Sequence, residues 1–123
     1  MNADVKALWV AALRSGDYTQ AKRYLRTDDG HCCLGVLCEV AVAAGVYVPA
    51  DWRGFTLLPD EVRGWAGLRT DSGENVTIGT HRDYLPEHND IHGATFAQIA
   101  DAIEAQLCPP DSQVRTRRRS HGG

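Results

Sequence analysis

Three cysteines fall within seven residues of the stretch Gly30-His31-Cys32-Cys33-Leu34-Gly35-Val36-Leu37-Cys38-Glu39. The run reads as a helix that begins near Cys32. A thiol in the first turn of a helix meets unpaired backbone N–H groups and the positive end of the dipole, which stabilise thiolate and lower its pKa below about 8.5. A protonated His31 would act in the same direction, and Asp28 and Asp29 would oppose it. The competing explanation is that Cys32, Cys33 and Cys38 are small apolar packing residues, as buried free cysteines commonly are. Cys33 and Cys38 suit that role. Cys32 is the position at which chemistry and packing give different expectations.

A thiolate nucleophile needs a histidine base, a group that orients the base and a donor for the developing oxyanion. The chain offers Gln20, Cys32, His81, and Asn89 or Asp90 in that order. The order resembles that of papain-like thiol hydrolases and implies Cys32 as nucleophile, His81 as base, Asn89 or Asp90 as orienter and Gln20 as oxyanion donor. The Cys-Gly-Ser-Cys-Trp surroundings of that family are absent, and the interval from Cys32 to His81 is compressed.

His81, Asp83, His88, Asp90 and His92 make a second cluster. In an extended stretch His88, Asp90 and His92 would point to one side and could hold a divalent ion. A solvated loop, with Asn89 or Asp90 making turn and cap hydrogen bonds, explains the same residues without a metal. No metal ligand or cofactor is assigned. For stacking on a flat ligand, Trp52, Tyr47 and Tyr84 are the available rings, because Trp9 and Trp65 hold helical core positions.

Charge narrows the partners. The formal charge of −3 conceals a basic end, since Arg115, Arg117, Arg118 and Arg119 all lie in the last nine residues. The remainder carries nine basic and sixteen acidic side chains, a body near −7. Nucleic-acid binding draws its affinity from clustered Lys and Arg that displace counterions, so sequence-specific binding by the folded part is not expected. Adjacent Cys32 and Cys33 point about 100° apart on a helix and neither pairs easily with Cys38. Free thiols in a reducing cytoplasm follow. The start Met1-Asn2-Ala3-Asp4 lacks a signal-peptide pattern, and the longest weakly polar run, 40–50, is too short to cross a bilayer.

These residues are expected to be positioned by a mainly α fold, with α+β as the alternative, of about five helices around the cysteine helix and at most one short two-stranded sheet. Val5, Leu8, Trp9, Ala12 and Leu13 repeat at helical spacing, with Asn2 a cap and Gly16 a stop. A second helix is expected from Asp17, with Tyr18, Ala21 and Leu25 on one face. The cysteine helix carries one charge, Glu39, from Cys32 to Ala44, so it should be buried nearly all round until Gly45. Phe55-Thr56-Leu57 and Asn75-Val76-Thr77-Ile78 are candidate strands. Pro59 suits the first position of a helix that packs Val62 and Trp65 and closes at Gly67. Thr95-Phe96-Ala97-Gln98 is a capping box for a last helix whose face is Phe96, Ile99, Ala100, Ile103 and Leu107, stopped by Pro109-Pro110. A single globular domain over 1–110 and a disordered basic tail over 111–123 are expected.

The combination of a Trp helix ahead of Tyr18-Thr19-Gln20, then Cys32-Cys33-Leu34-Gly35-Val36-Leu37-Cys38, then Leu58-Pro59 to Trp65-Ala66-Gly67-Leu68, then Asn89-Asp90 ahead of Phe96-Ala97-Gln98-Ile99-Ala100, resembles a family of small uncharacterised proteins of bacteriophages and actinobacteria. The likeness covers roughly residues 5 to 107. His88 stands where that pattern has an apolar residue, and His92 is not part of it. The resemblance implies a phage accessory protein in the host cytoplasm, of the kind that disables defence by holding or cleaving a nucleotide signal. The leading expectation is a pocket for a small polar or nucleotide-like ligand between the start of the Cys32 helix and the Asn89-Asp90 loop, bordered by His31, Cys32, Trp52, Tyr84, Asn89 and Asp90. Backbone N–H groups at that helix start can hold phosphate or carboxylate oxygens. Two alternatives stay open: the thiol hydrolase, and an interaction domain without a small-molecule site that pairs with a protein partner or a second copy.

Overall fold

The computed structural model describes residues 1–107. Cys108, the Pro109-Pro110 stop and the tail expected over 111–123 lie outside them.

Helix α1 spans Ala3–Arg14, and Asn2 caps it by accepting from the amides of Asp4 and Val5 at 2.9 and 3.1 Å. Val5, Trp9, Val10 and Leu13 face the core, whereas Leu8, expected there, is half exposed. The helix turns its inner face slightly toward Val10.

The helix expected from Asp17 does not form. Residues 19–21 run beside His31 instead, with the His31 amide donating to the Thr19 carbonyl at 2.8 Å and the Ala21 amide to the His31 carbonyl at 2.7 Å. A two-residue hairpin follows, β1 at Arg26–Thr27 against β2 at Gly30–His31. Two glycines in the cysteine segment explain the difference. A Cβ on Gly30 would lie 2.2 Å from the Thr19 carbonyl oxygen, and one on Gly35 only 1.7 Å from that of Leu25. Both bare backbones receive the neighbouring strand-like chain, an advantage that a local helix over 17–25 would forgo.

Helix α2, Cys33–Ala43, is buried from Cys33 through Cys38 and at Ala41, with Cys32 as its N-cap residue. Its last turn emerges, leaving Val42 half exposed. The expected strand at 55–57 does not form: a 3₁₀ turn at Trp52–Gly54 precedes it, and the Phe55 amide donates to the Trp52 carbonyl at 2.9 Å while its carbonyl accepts from the Leu25 amide at 2.8 Å. Helix α3, Asp60–Ala66, starts one residue later than expected, with Pro59 as N-cap, and closes on left-handed Gly67 at φ 72°.

Strand β3, Asn75–Ile78, pairs antiparallel with β4, His81–Tyr84, so the described residues hold two short two-stranded sheets where at most one was expected. The stretch around His88, which the sequence left open between a solvated loop and an extended run, is helix α4, Leu85–Asp90. Helix α5, Phe96–Gln106, carries the full capping box of Thr95 and Gln98 and buries Phe96, Ile99, Ala100 and Ile103, as its periodicity predicts. Among the described residues, five helices and two small hairpins make a mainly α fold in which α2 is packed by α1, α3 and α4, and α1 lies along α5. Trp9 ties the layers by donating Nε1–H to the Cys33 carbonyl at 3.0 Å. No helix among the described residues is long and apolar enough to cross a membrane.

Candidate functional site

Four of the expected site residues converge at the start of α2. Gln20 reaches there from the segment beside His31, Cys32 from the cap position, and Asn89 and Asp90 from the end of α4. The amide of Gln20 donates to Asn89 Oδ1 at 2.8 Å and to the Ala94 carbonyl at 2.7 Å, while its Oε1 accepts from the Phe96 amide at 3.2 Å. Asn89 is buried, and its Nδ2 donates to the Ala21 carbonyl at 2.8 Å and to Asp90 Oδ1 at 2.7 Å. Both donors and the acceptor of each side-chain amide are therefore satisfied within the protein. These bonds join residues 69 to 76 positions apart along the chain at Gln20, and they hold α4 and the start of α5 against the strand-like segment.

Cys32 is 2% exposed, and Cys33 and Cys38 are fully buried. Burial pushes the Cys32 thiol up from 9.0 to about 11, more than the Gly35 and Leu34 amides lower it, and the Asp90 carboxylate adds to the rise. The direction is opposite to that expected from its place at a helix start. Exclusion of water from the thiolate outweighs the dipole because the whole helix end is inside the core. No hydrogen bond caps α2 from the Cys32 side chain. Burial likewise raises Cys33, with Cys32 and Asp90 contributing, and Cys38, with Cys32 and Glu39 contributing. Cys33 also directs its S–H toward the Leu85 carbonyl, 3.7 Å away.

The other expected site residues are placed elsewhere. His81 lies with its ring on that of His92, centroids 4.0 Å apart. No hydrogen bond or ring contact joins it to Cys32 among the described residues. His31 is buried and directs Nε2 to Glu39 Oε2 at 2.7 Å, with Arg26 Nη1 on the same oxygen at 3.2 Å and the edge of Tyr18 against its ring. Trp52, expected to be free for stacking, is 3% exposed, with the Arg53 guanidinium over its ring. Tyr84 and Tyr47 do present rings to solvent. His88 and Asp90 sit on α4, so the one-sided array of His88, Asp90 and His92 expected from an extended chain does not exist. Glu39 was missed as a partner of His31, although its being the sole charge on an apolar helix is the signal that it must be paired inside.

Cavities lie on other faces. One, about 470 Å³, runs along α1 and is lined by Ala3, Ala7, Val10 and Ala11 with Lys6, Arg14 and Glu104. Another, about 290 Å³, lies between β3 and α5.

A family model matches residues 1–107, and its description is a domain of unknown function (DUF8296). No curated protein and no solved structure matches the chain.

Proposed function

The chain belongs to that family, and we propose that it is a phage accessory protein that acts by binding a partner protein and not by thiol catalysis. The observation that supports this most is the burial of all three thiols of α2, Cys32 at 2% and Cys33 and Cys38 at 0% exposure. A nucleophile needs an accessible thiolate with a base within hydrogen-bond reach. Cys32 is held as a thiol, and the expected base His81 is engaged with His92.

The surface that suits a partner is the groove along α1. Ala3, Ala7 and Ala11 repeat every four residues there, which lets another helix approach closely, and Lys6 adds a positive charge to an edge where Arg14 is already paired with Glu104 at 3.2 Å. An amphipathic partner helix with an acidic flank fits these features. Half-exposed Leu8 lies on the same helix beside the groove.

A second reading, a small polar or nucleotide-like ligand at the start of α2, is favoured by one observation: the Asp90 carboxylate adds to the rise of the Cys32 thiol, so these two of the expected border residues are close. One experiment separates the two. The full chain is recovered from host lysate as wild type, Ala7→Arg and Cys32→Ser, and each is analysed by native mass spectrometry. The interaction reading expects a protein complex that survives Cys32→Ser and is lost in Ala7→Arg. A retained small molecule that disappears in Cys32→Ser would overturn it in favour of the ligand.

A further inference from the structure

Three histidines meet where α4 lies against the β3–β4 hairpin. His88 on α4 is fully buried, with Nε2 2.7 Å from the Val76 carbonyl of β3. A carbonyl only accepts, so Nε2 carries the proton and Nδ1 is a bare acceptor, a buried polar atom with no partner among the described residues. The His88 ring centroid is 5.5 Å from that of His92, which lies just after α4. His92 brings Nε2 to 3.2 Å from Asp83 Oδ2 on β4, and its ring stacks on that of His81 with centroids 4.0 Å apart and planes 10° from parallel. The His88–Val76 bond and the His92–Asp83 pair therefore tie α4 and the turn after it to both strands of the hairpin. Both ties run through groups that take up protons near neutral pH.

We propose that His81, His88 and His92 form a proton-sensitive latch that holds α4 against the β3–β4 hairpin at neutral pH and releases it on acidification, opening the start of α2. A proton on His92 tightens its pair with Asp83, the carboxylate that contacts the cluster. That carboxylate balances one imidazolium. A further proton on His81 sets two imidazolium rings 4.0 Å apart, where they repel. One on His88 turns Nδ1 into a donor with no acceptor and puts a charge in the core, so the ring has to reach water. The other ionisable groups on the packed elements do not offset these charges. Strand β3 carries none. Arg82 on β4 turns to Thr77 Oγ1, Asp90 on α4 accepts from Asn89 Nδ2, and Asp101 and Glu104 on α5 hold Arg14. Tyr84 is a neutral phenol in this range, and Glu87 precedes His88 on α4 and so points about 100° away from it. On α2, Cys33 remains a thiol directed at the Leu85 carbonyl. Because α4 packs on α2 and supplies Asn89 and that carbonyl, its release uncovers Cys33 and the Gln20–Asn89 junction.

Hydrogen exchange of the full chain, read residue by residue by NMR with thiols reduced, tests the latch at about pH 7.5 and about pH 5, on either side of the range in which imidazoles ordinarily titrate. After correction for intrinsic rates, the amides of Ile91, His92 and Ala94, which bond back to α4 carbonyls, should lose about tenfold or more of their protection at the lower pH, while those of α1 and α5 keep theirs. His88→Gln keeps an N–H donor for the Val76 carbonyl and cannot gain a proton, so it should remove the pH dependence. His81→Ala, at an exposed position, should reduce it and leave the core in place. Unchanged protection in the wild type, a loss shared equally by α1 and α5, or the same loss in either variant would each overturn the proposal. Should His88→Gln fail to fold, the ring-nitrogen shifts of wild-type His88 decide in its place: Nδ1 gaining a proton across the loss is expected, and a ring that stays neutral through it would overturn the latch.

Discussion

The start of α2 and the outer end of the β3–β4 hairpin contain the same chemical vocabulary and use it in opposite ways. Around Cys32, the two carboxamides of Gln20 and Asn89 are fully bonded to backbone and to each other, and the thiol is shut away from water. At the hairpin, His81, His92 and Asp83 meet mainly one another, with His81 exposed and the His92–Asp83 pair partly so. Reactivity thus follows accessibility before it follows residue type. A helix N-terminus that would activate a surface cysteine cannot do so where the thiolate would be desolvated.

The contrast can be broken first at Gly35. If the start of α2 is a packed junction, Gly35→Ala drives a Cβ to 1.7 Å from the Leu25 carbonyl oxygen, where backbone has to shift. A loss of about 3 kcal/mol or more, or failure to fold, is expected in urea denaturation. A near-neutral substitution would mean that the junction is loose. Next in size is Asn89→Ala, which strips partners from Gln20 and from the Ala21 carbonyl in a buried setting. A loss of roughly 2–4 kcal/mol is expected, and a change under about 1 kcal/mol would show that this amide is free for a ligand.

Alkali gives a third test. Cys32 binds its proton more tightly folded, at about 11, than at its ordinary 9.0, so its contribution is fully present below pH 9 and is lost as pH rises toward 11. Stability should fall over that window by about 2–3 kcal/mol from Cys32 alone, and the slope should flatten in Cys32→Ala. A flat profile between pH 9 and 11 in the wild type would contradict the burial. The smallest effect belongs to the hairpin. The hydrogen bond to His92, followed by that from the Tyr84 amide, holds the exposed Asp83 carboxyl below its usual 3.8. Its NMR titration midpoint should rise back toward 3.8 in His92→Ala, with little change in global stability.

How far the sequence carried this account depended on whether a signal was local. The helices α1, α2 and α5 are legible because Asn2, the apolar run after Cys32 and the Thr95–Gln98 box act within a few residues. The segment 17–25 is not, because what decides it is the close approach of its backbone to Gly30 and Gly35, a contact that helical periodicity does not encode. Helix α4 escaped notice because six residues containing Pro86 and alternating His88, Asn89 and Asp90 read equally well as extended chain. Gln20, Cys32, Asn89 and Asp90 meet, but their order in the chain put His81 with them, and its ring lies on His92 instead. Their saturation was not legible, since their partners include the backbone carbonyls of Ala21 and Ala94, which any sequence carries. Trp52 was misjudged because an isolated aromatic in a loop has no pattern to show its burial.

Alkylation kinetics, read cysteine by cysteine in the mass spectrometer, distinguish a packing thiol at Cys32 from a nucleophile. With iodoacetamide at pH 6 to 7, Cys32, Cys33 and Cys38 should react only as fast as the chain unfolds, and together. Modification of Cys32 in the folded chain, ahead of Cys33 and Cys38 and faster than a free cysteine peptide, would contradict the account and restore the nucleophile.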